Sequence, residues 1–559
     1  MISNKIQKNL LLGAVIYITV NLLQSFLMPL INDEAYYWVW AQNLDWGYFD
    51  HPPMVALWIK AGFALFQNEL GVRLISVLAG AAGYYLLGQM LEIQNDKQYW
   101  LYNALFFSMI LFQAFGFVTT PDAPLLFFGI LYFIVLKKFL EKSNFQNAIL
   151  LGLVMALLLY SKYHGILLII FSLLPLTLKL IRNKFFWLAV FFGILCYSPH
   201  LWWQFDNNFV SAEYHLVRRN VFNRFKISNT TDYLLSVIWA SSPLLFWFHG
   251  KALFKTKYKT DFQKALIGGF LGIIAFFILI TFKRYIQGQW SLLAFIPLII
   301  ITFEFFKNKL KDIKKIQTLG WITLVLIIVA RIYFIIQDVP YKTQYHGWKD
   351  FMQRAGEVTS GTAVFEKYQY TSLFNFYNYP NKTAENYISI ENRKSQYEIW
   401  NSEAKLNAKN ITYFSHWLDV SDSLTVDSRD QEVFKYKNIS HFLTPVNLQI
   451  HVKDSIIKQN NFQFTAEIRN SGDFTVECTR ANQFSLEMAY VEFAYSEDIK
   501  CVKELAFTDF VLAPGEVKDV VVSGQICDLP AGDYIGYLGF VNQHLPIKKQ
   551  SNYLEIKID

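Results

Sequence analysis

Asp33-Glu34 follows the first apolar run of this chain by three residues, and the sequence continues Ala35-Tyr36-Tyr37-Trp38 and then Tyr48-Phe49-Asp50-His51-Pro52-Pro53. Charge beside a bilayer is costly, so acids held there are functional candidates. Groups of the same kind recur between later apolar runs: Thr119-Thr120-Pro121-Asp122-Ala123-Pro124, Ser161-Lys162-Tyr163-His164, Glu213 with His215, Arg218 and Arg219, and Lys283-Arg284-Tyr285. Carboxylates among basic groups and aromatics at a lipid boundary suit transfer of a sugar from a lipid phosphate. A carboxylate whose pKa is raised by partial burial can take the proton of an acceptor hydroxyl. Arg and Lys can meet the departing phosphate. On this reading Asp33 or Glu34 is the base, and Lys162, Arg218, Lys283 and Arg284 meet the phosphate. Trp38, Tyr48 and Trp290 stack on a sugar or line a groove for the prenyl chain.

The elements that must position these groups are membrane spans. Of 559 residues 53% are hydrophobic and only 17% charged, against about 25% charged in soluble domains. Apolar runs near 9–30, 72–91, 99–117, 123–140, 146–160, 163–180, 185–201, 231–249, 264–282, 289–306 and 317–337 predict an α-helical polytopic membrane protein with about eleven spans. The runs at 146–160 and 163–180 are short and read equally as a re-entrant pair. The first run lacks a small-residue cleavage site and reads as a retained span or signal anchor. Within 32–70, apolar and aromatic residues at helical spacing predict two helices lying in the interface, separated by Pro52-Pro53.

The net charge of +7 does not indicate nucleic acid, because the Lys and Arg concentrate in alternate short loops. Lys137, Lys138 and Lys142, then Lys179, Arg182 and Lys184, then Lys251 to Lys264, then Lys307 to Lys315 share one face with Lys5, Lys8 and Lys97. The positive-inside rule makes that face cytoplasmic. The N-terminus is then cytoplasmic, and everything after residue 337 is periplasmic or extracellular, in a multi-pass protein of the cell (inner) membrane. The acids and bases named above gather on the outer face.

Each group also has a plainer reading. Asp33-Glu34 can mark the interface, Asp122 can cap a helix, Lys162 can snorkel, and His215 can be an ordinary surface histidine. Lys283-Arg284 can be interfacial anchors, and Trp202-Trp203 an aromatic belt. A polytopic transporter or flippase for a lipid-linked saccharide is the alternative function. It calls for ionisable groups near mid-membrane and repeated halves, whereas these groups sit at loop edges and no repeat is evident. A non-catalytic scaffold leaves the gathered acids and bases unexplained.

The order of these fragments, with Glu213-Tyr214-His215-Leu216-Val217-Arg218 and Lys283 leading to Gln289-Trp290, resembles a known group over roughly residues 5–400. It is similar to the GT-C glycosyltransferases of the bacterial protein O-mannosyltransferase-like family, which includes the aminoarabinose transferases acting on lipid A. The resemblance implies a polyprenyl-phosphate-linked sugar donor and inversion at the anomeric carbon. The acceptor would be a lipid, polysaccharide or protein hydroxyl. It implies Asp33 as catalytic base, Asp122 as support for the acceptor, Lys162 and Arg218 on donor phosphate, and Tyr37 beside the substrate. His51 stands where the aminoarabinose transferases carry a lysine, and His215 matches a histidine associated there with a metal. Together with Asp50 they leave room for a divalent metal ion.

After residue 340 the composition turns polar. Residues 341–437 read as a small α/β domain, with Gly361 to Phe365 and Ile411 to Phe414 as strands. Residues 438–559 alternate as short strands between turns such as Asn470-Ser471-Gly472-Asp473, which predicts an immunoglobulin-like β-sandwich. Of four cysteines, Cys196 lies in an apolar run, while Cys478, Cys501 and Cys527 allow one disulfide that spacing does not assign.

Overall fold

Ser3 opens the first helix by accepting the Ile6 N–H on its hydroxyl at 3.4 Å, and α1 runs Asn4–Leu27. Its polarity is reversed relative to a soluble helix. Asn21, Gln24 and Ser25 are buried, while Leu11, Leu12, Leu23 and Phe26 are exposed. Arg331 of a distant helix donates to Asn21 at 2.7 Å and to Gln24 at 3.3 Å. Polar contacts between apolar helices of this kind suit lipid, where no hydrophobic force separates helix from solvent.

The computed structural model describes residues 3–216, 226–453, 456–457, 461–479, 481–492, 499–543 and 545–558, and the chain divides into two units, Met1–Tyr341 and Lys342–Asp559. In the first unit α1 is followed by α2 (Asn32–Gln42), α3 (Met54–Phe63), α4 (Glu69–Met90), α5 (Asp96–Phe107), α6 (Ile110–Ala114), α7 (Asp122–Glu141) and α8 (Phe145–Ser161). Next come α9 (Gly165–Leu173), α10 (Thr177–Leu180), α11 (Lys184–Asp206), α12 (Val210–Leu216), α13 (Ile227–Ala240), α14 (Phe246–Lys255), α15 (Asp261–Thr281), α16 (Leu292–Phe306) and α17 (Leu310–Ile335). Among the described residues seven helices are long and apolar enough to cross a membrane: α1, α4, α7, α11, α15, α17 and α16 with its leading turn. α3, α8 and the stretch Gly165–Leu180 are shorter apolar helices.

All eleven apolar runs meet helix, but three are divided: the run at 163–180 passes from α9 to α10 through the 3₁₀ turn Leu174–Leu176. The run at 99–117 splits between α5 and α6 where Met109 takes extended backbone. The run at 231–249 breaks at Ser242, with φ +70°, ahead of Pro243, because proline disfavours α-helical backbone in the residue before it. The helices expected in 32–70 are α2 and α3, on either side of Pro52-Pro53. α8 and α11 approach through Gly152 and Gly193, and a Cβ on Gly152 would stand 2.4 Å from the Ala189 carbonyl oxygen.

The second unit opens with α18 (Trp348–Val358), β1 (Thr362–Phe365), α19 (Tyr368–Tyr377), β2 (Ala384–Asn386), α20 (Gln396–Ile399), β3 (Lys409–Ser415), β4 (Ser423–Thr425) and β5 (Val433–Phe442). These strands form one sheet in the order β2-β1-β3-β5-β4, in which β1 is parallel to both β2 and β3. The strands that follow are β6 (Leu448–Val452), β7 (Ile456–Ile457), β8 (Asn461–Asn470), β9 (Val476–Cys478), β10 (Phe484–Glu492), β11 (Ile499–Phe507), β12 (Phe510–Leu512), β13 (Val517–Gln525), β14 (Gly532–Asn542) and β15 (Leu554–Ile558). β11 pairs with β10 along most of its length and with β13 through Ala506 and Phe507, which joins eight strands in the order β6-β8-β13-β11-β10-β14-β15-β7, while β12 and β9 pair by themselves. Residues of β8, β10, β13 and β14, among them Ile468, Leu486, Val522 and Leu538, close on one apolar core. Cys501 and Cys527 form a disulfide, while Cys196 and Cys478 are free.

Candidate active site

Glu34 turns back at the start of α2, and its Oε2 accepts the Ile31 N–H at 3.2 Å. The same carboxylate takes Arg73 Nε at 2.8 Å and Nη2 at 2.5 Å, and it accepts the Thr119 N–H at 2.9 Å. Both side chains are fully buried. The guanidinium also donates to the carbonyls of Ser25, Met28 and Pro29. A buried ion pair persists only when its remaining donors and acceptors are met, and this one is. It ties the end of α1, the start of α2 and the segment before α7 to α4.

Asp33 precedes Glu34 in the first turn of α2 and is exposed. Successive helix positions are about 100° apart, so the two neighbouring acids face different surroundings. From Thr119 the chain runs to Asp122, in the first turn of α7. Lys162 Nζ meets both Asp122 carboxylate oxygens at 2.9 Å, and both side chains are nearly buried. An ammonium has three donors. Among the described residues Lys162 spends two, both on Asp122.

The next residues join the rest of the site. Tyr163 packs 5.8 Å from the ring of His215, which lies 6.0 Å from that of His51. His215 Nε2 lies 2.9 Å from the Asp50 carbonyl oxygen, and Tyr36 donates its hydroxyl to the Asp50 carboxylate at 3.0 Å. Gln204 donates to the Tyr163 hydroxyl at 2.7 Å. His164 packs 5.2 Å from Trp290, and the Arg284 guanidinium lies 5.4 Å from the same indole.

Contacts and short chain segments link Glu34, Asp122 and Lys162, then Asp50, His51 and His215, and Arg284 with Trp290, while the other sequence-selected residues are placed differently. Tyr48 is fully buried, stacked 4.4 Å on Trp40. Its hydroxyl lies among the backbone groups of Trp40, Asn43 and Asp45. It fastens the loop rather than facing a ligand. Trp38 is buried against Phe63, and Tyr37 packs on Trp40 and lies 6.2 Å from His51. Lys283 is exposed beside Arg284, and Arg218 lies outside the described residues. Asp50, His51 and His215 are neighbours, yet no group of three His, Cys, Asp or Glu side chains among the described residues is disposed to hold a metal ion. The metal reading does not fit these residues, because the Asp50 carboxylate engages Tyr36 and His215 meets a carbonyl. Arg73 is the residue that sequence reasoning missed; its signal was a charge inside the apolar run at 72–91.

Comparison with known proteins follows the same lines. Residues 50–203 match the family described as dolichyl-phosphate-mannose-protein mannosyltransferase, a stretch that includes Asp50, His51, Asp122 and Lys162. A lipid A galacturonosyltransferase, RgtD of Rhizobium johnstonii, is 28% identical over 195 residues, which cover 32% of this chain and 39% of that protein. The match thus spans well under half of that relative's length. The structure of ArnT from Cupriavidus metallidurans bound to undecaprenyl phosphate superposes with a TM-score of 0.57 at 12% identity, covering 78% of this chain and 99% of that one. Its apo form superposes with the same TM-score at 11% identity.

The fold is that of the GT-C glycosyltransferases. Both sequence matches are to sugar transferases, and each covers only part of this multi-pass membrane chain.

Proposed function

We propose that the chain transfers a sugar from a polyprenyl-phosphate donor to a hydroxyl of a lipid, polysaccharide or protein on the outer face of the membrane. The observation that carries this reading is the pair of buried acid–base contacts, Glu34–Arg73 and Asp122–Lys162, joined through the short segment from Thr119 to Asp122. Exposed Asp33 stands at the edge of that pair.

In the reaction the acceptor hydroxyl oxygen attacks the anomeric carbon from the face opposite the phosphate. The bond from that carbon to the phosphate oxygen breaks, its electron pair leaves with the lipid phosphate, and the configuration inverts. Asp33 takes the proton of the attacking hydroxyl, general-base help that is worth about 10²- to 10⁴-fold. The third N–H of Lys162, with Arg284 and Lys283, meets the charge that grows on the phosphate. Glu34 holds Arg73 and Thr119 in place, so it is assigned a positioning role and not that of the base.

Three further observations support parts of this reading. The basic loops favour a cytoplasmic face opposite the site. The Cys501–Cys527 disulfide suits an oxidising compartment for the second unit. The ArnT structure bound to undecaprenyl phosphate supports a lipid-phosphate donor.

The test is to supply the purified chain with polyprenyl-phosphate sugars and a membrane-lipid extract, and to follow free polyprenyl phosphate and new glycosylated products by mass spectrometry. Transfer releases both together. Movement of intact donor across reconstituted vesicles with no release would instead favour a flippase.

A further inference from the structure

The α/β part of the second unit carries its own set of polar and aromatic groups. In its sheet β1 connects through α19 to β2 on one side, while β3 connects to β4 and β5 on the other. The carboxyl ends of β1 and β3 therefore form a topological switch point, the place where open α/β sheets take their ligands. Three loops meet there: Glu366 after β1, the segment with Asn392 after β2, and Ser415-His416-Trp417 at the end of β3.

The contacts at this edge are specific. Glu366 Oε1 accepts from Tyr413 at 2.8 Å, from Ser415 at 2.8 Å and from the Trp417 indole N–H at 3.1 Å. Among the described residues its second oxygen has one contact, at 3.5 Å to Asn392 Nδ2, which also donates to Ser389 at 2.8 Å. One oxygen thus anchors the carboxylate, and the other keeps acceptor capacity. Trp417 is held at its N–H yet is 49% exposed, so it presents a fixed indole face.

The chemistry selects among ligands. A nucleotide would need backbone N–H groups and glycines after β1 to receive phosphate, but the chain there reads Phe365-Glu366-Lys367-Tyr368, with a carboxylate in the way. A cation is disfavoured by Arg393, whose guanidinium lies 4.5 Å over the ring of Tyr368, and by Lys367. An uncharged ligand with one apolar face and several hydroxyls fits what remains. Its CH face stacks on Trp417, one hydroxyl donates to Glu366 Oε2, and another accepts from Asn392.

We infer that the switch point formed by Glu366, Asn392 and Trp417 is a saccharide-binding site of the second unit. Binding is read without turnover, so this inference stands apart from the proposed reaction. The test applies the full-length chain in detergent to an array of immobilised neutral mono- and oligosaccharides. Wild type is expected to bind at least one of them, and Trp417→Ala to weaken that binding at least tenfold. Trp417→Phe keeps a ring without the N–H and should fall between the two. Glu366→Gln should weaken binding. Unchanged melting temperatures confirm folding, and if Trp417→Ala is unstable, Trp417→Phe decides. The inference is overturned by an array on which wild type binds nothing, or by Trp417 variants that bind as wild type.

Discussion

Replacing Glu34 by Gln tests the division of labour between the two acids at the start of α2. The change keeps the shape of the side chain but leaves Arg73 charged, fully buried and without its counter-ion. Breaking a buried pair from one side costs about 3–5 kcal/mol. A Coulomb estimate at an effective dielectric of 20 and a charge separation near 4 Å gives about 4 kcal/mol, in the same range. The three carbonyls around Arg73 soften that loss without neutralising the charge. Glu34→Gln should therefore lower the melting temperature in detergent by several degrees. Turnover per folded molecule should fall far less than in Asp33→Asn. Adding Arg73→Met to Glu34→Gln removes the orphaned charge and should restore part of the lost stability. The assay is a thermal series on both single variants and the double variant, with activity normalised to the folded fraction at each temperature. If Glu34→Gln melts like wild type and abolishes turnover, the positioning assignment is wrong and Glu34 is the base.

Four other outcomes are expected. Lys162→Met leaves Asp122 buried without its partner and should cost about 3 kcal/mol while raising KM for the donor; adding Asp122→Asn should recover stability but not donor affinity. Glu487 faces Glu504 across β10 and β11, and burial, then that like charge, pushes its pKa up to about 7. A carboxylate raised in the folded state lends stability that is present below about pH 4.5 and lost as pH rises to about 7, so Glu487→Gln should stabilise at pH 8 by about 1 kcal/mol and do little at pH 4, as read by melting temperature. Cys501→Ser opens a disulfide that closes a 26-residue separation and should cost about 2–4 kcal/mol, visible as an earlier unfolding step that reductant reproduces in wild type. Gly152→Leu places atoms where Ala189 and Gly193 already sit, and full-length protein should fail to accumulate in the membrane fraction.

Much of the membrane architecture was legible because lipid imposes a simple rule: long apolar runs must be helix. Every such run met helix, and Pro52-Pro53 marked the gap between α2 and α3 as expected. The break at Ser242 was harder to see, since Ser241-Ser242-Pro243 sits inside an otherwise apolar stretch and hydropathy averages over it. At the site, residue type and order picked out Glu34, Asp122 and Lys162, which the structure holds in buried ion pairs, because charges near a bilayer are too costly to be scattered. Type alone did not separate Asp33 from Glu34. Only the geometry shows that one is exposed and the other buried on Arg73. Tyr48 misled for a related reason: a tyrosine beside acids reads as a ligand contact, yet stacking on Trp40 encloses it. The switch point of the second unit was not visible, because Glu366, Asn392 and Trp417 are brought together only by parallel strand pairing.

The central claim is that exposed Asp33 is the base for transfer from a lipid-phosphate sugar, and the most direct test is single-turnover release of polyprenyl phosphate by wild type and Asp33→Asn. The account predicts that Asp33→Asn melts and binds donor as wild type does but releases phosphate about 10²- to 10⁴-fold more slowly. Release at the wild-type rate by folded Asp33→Asn would contradict it.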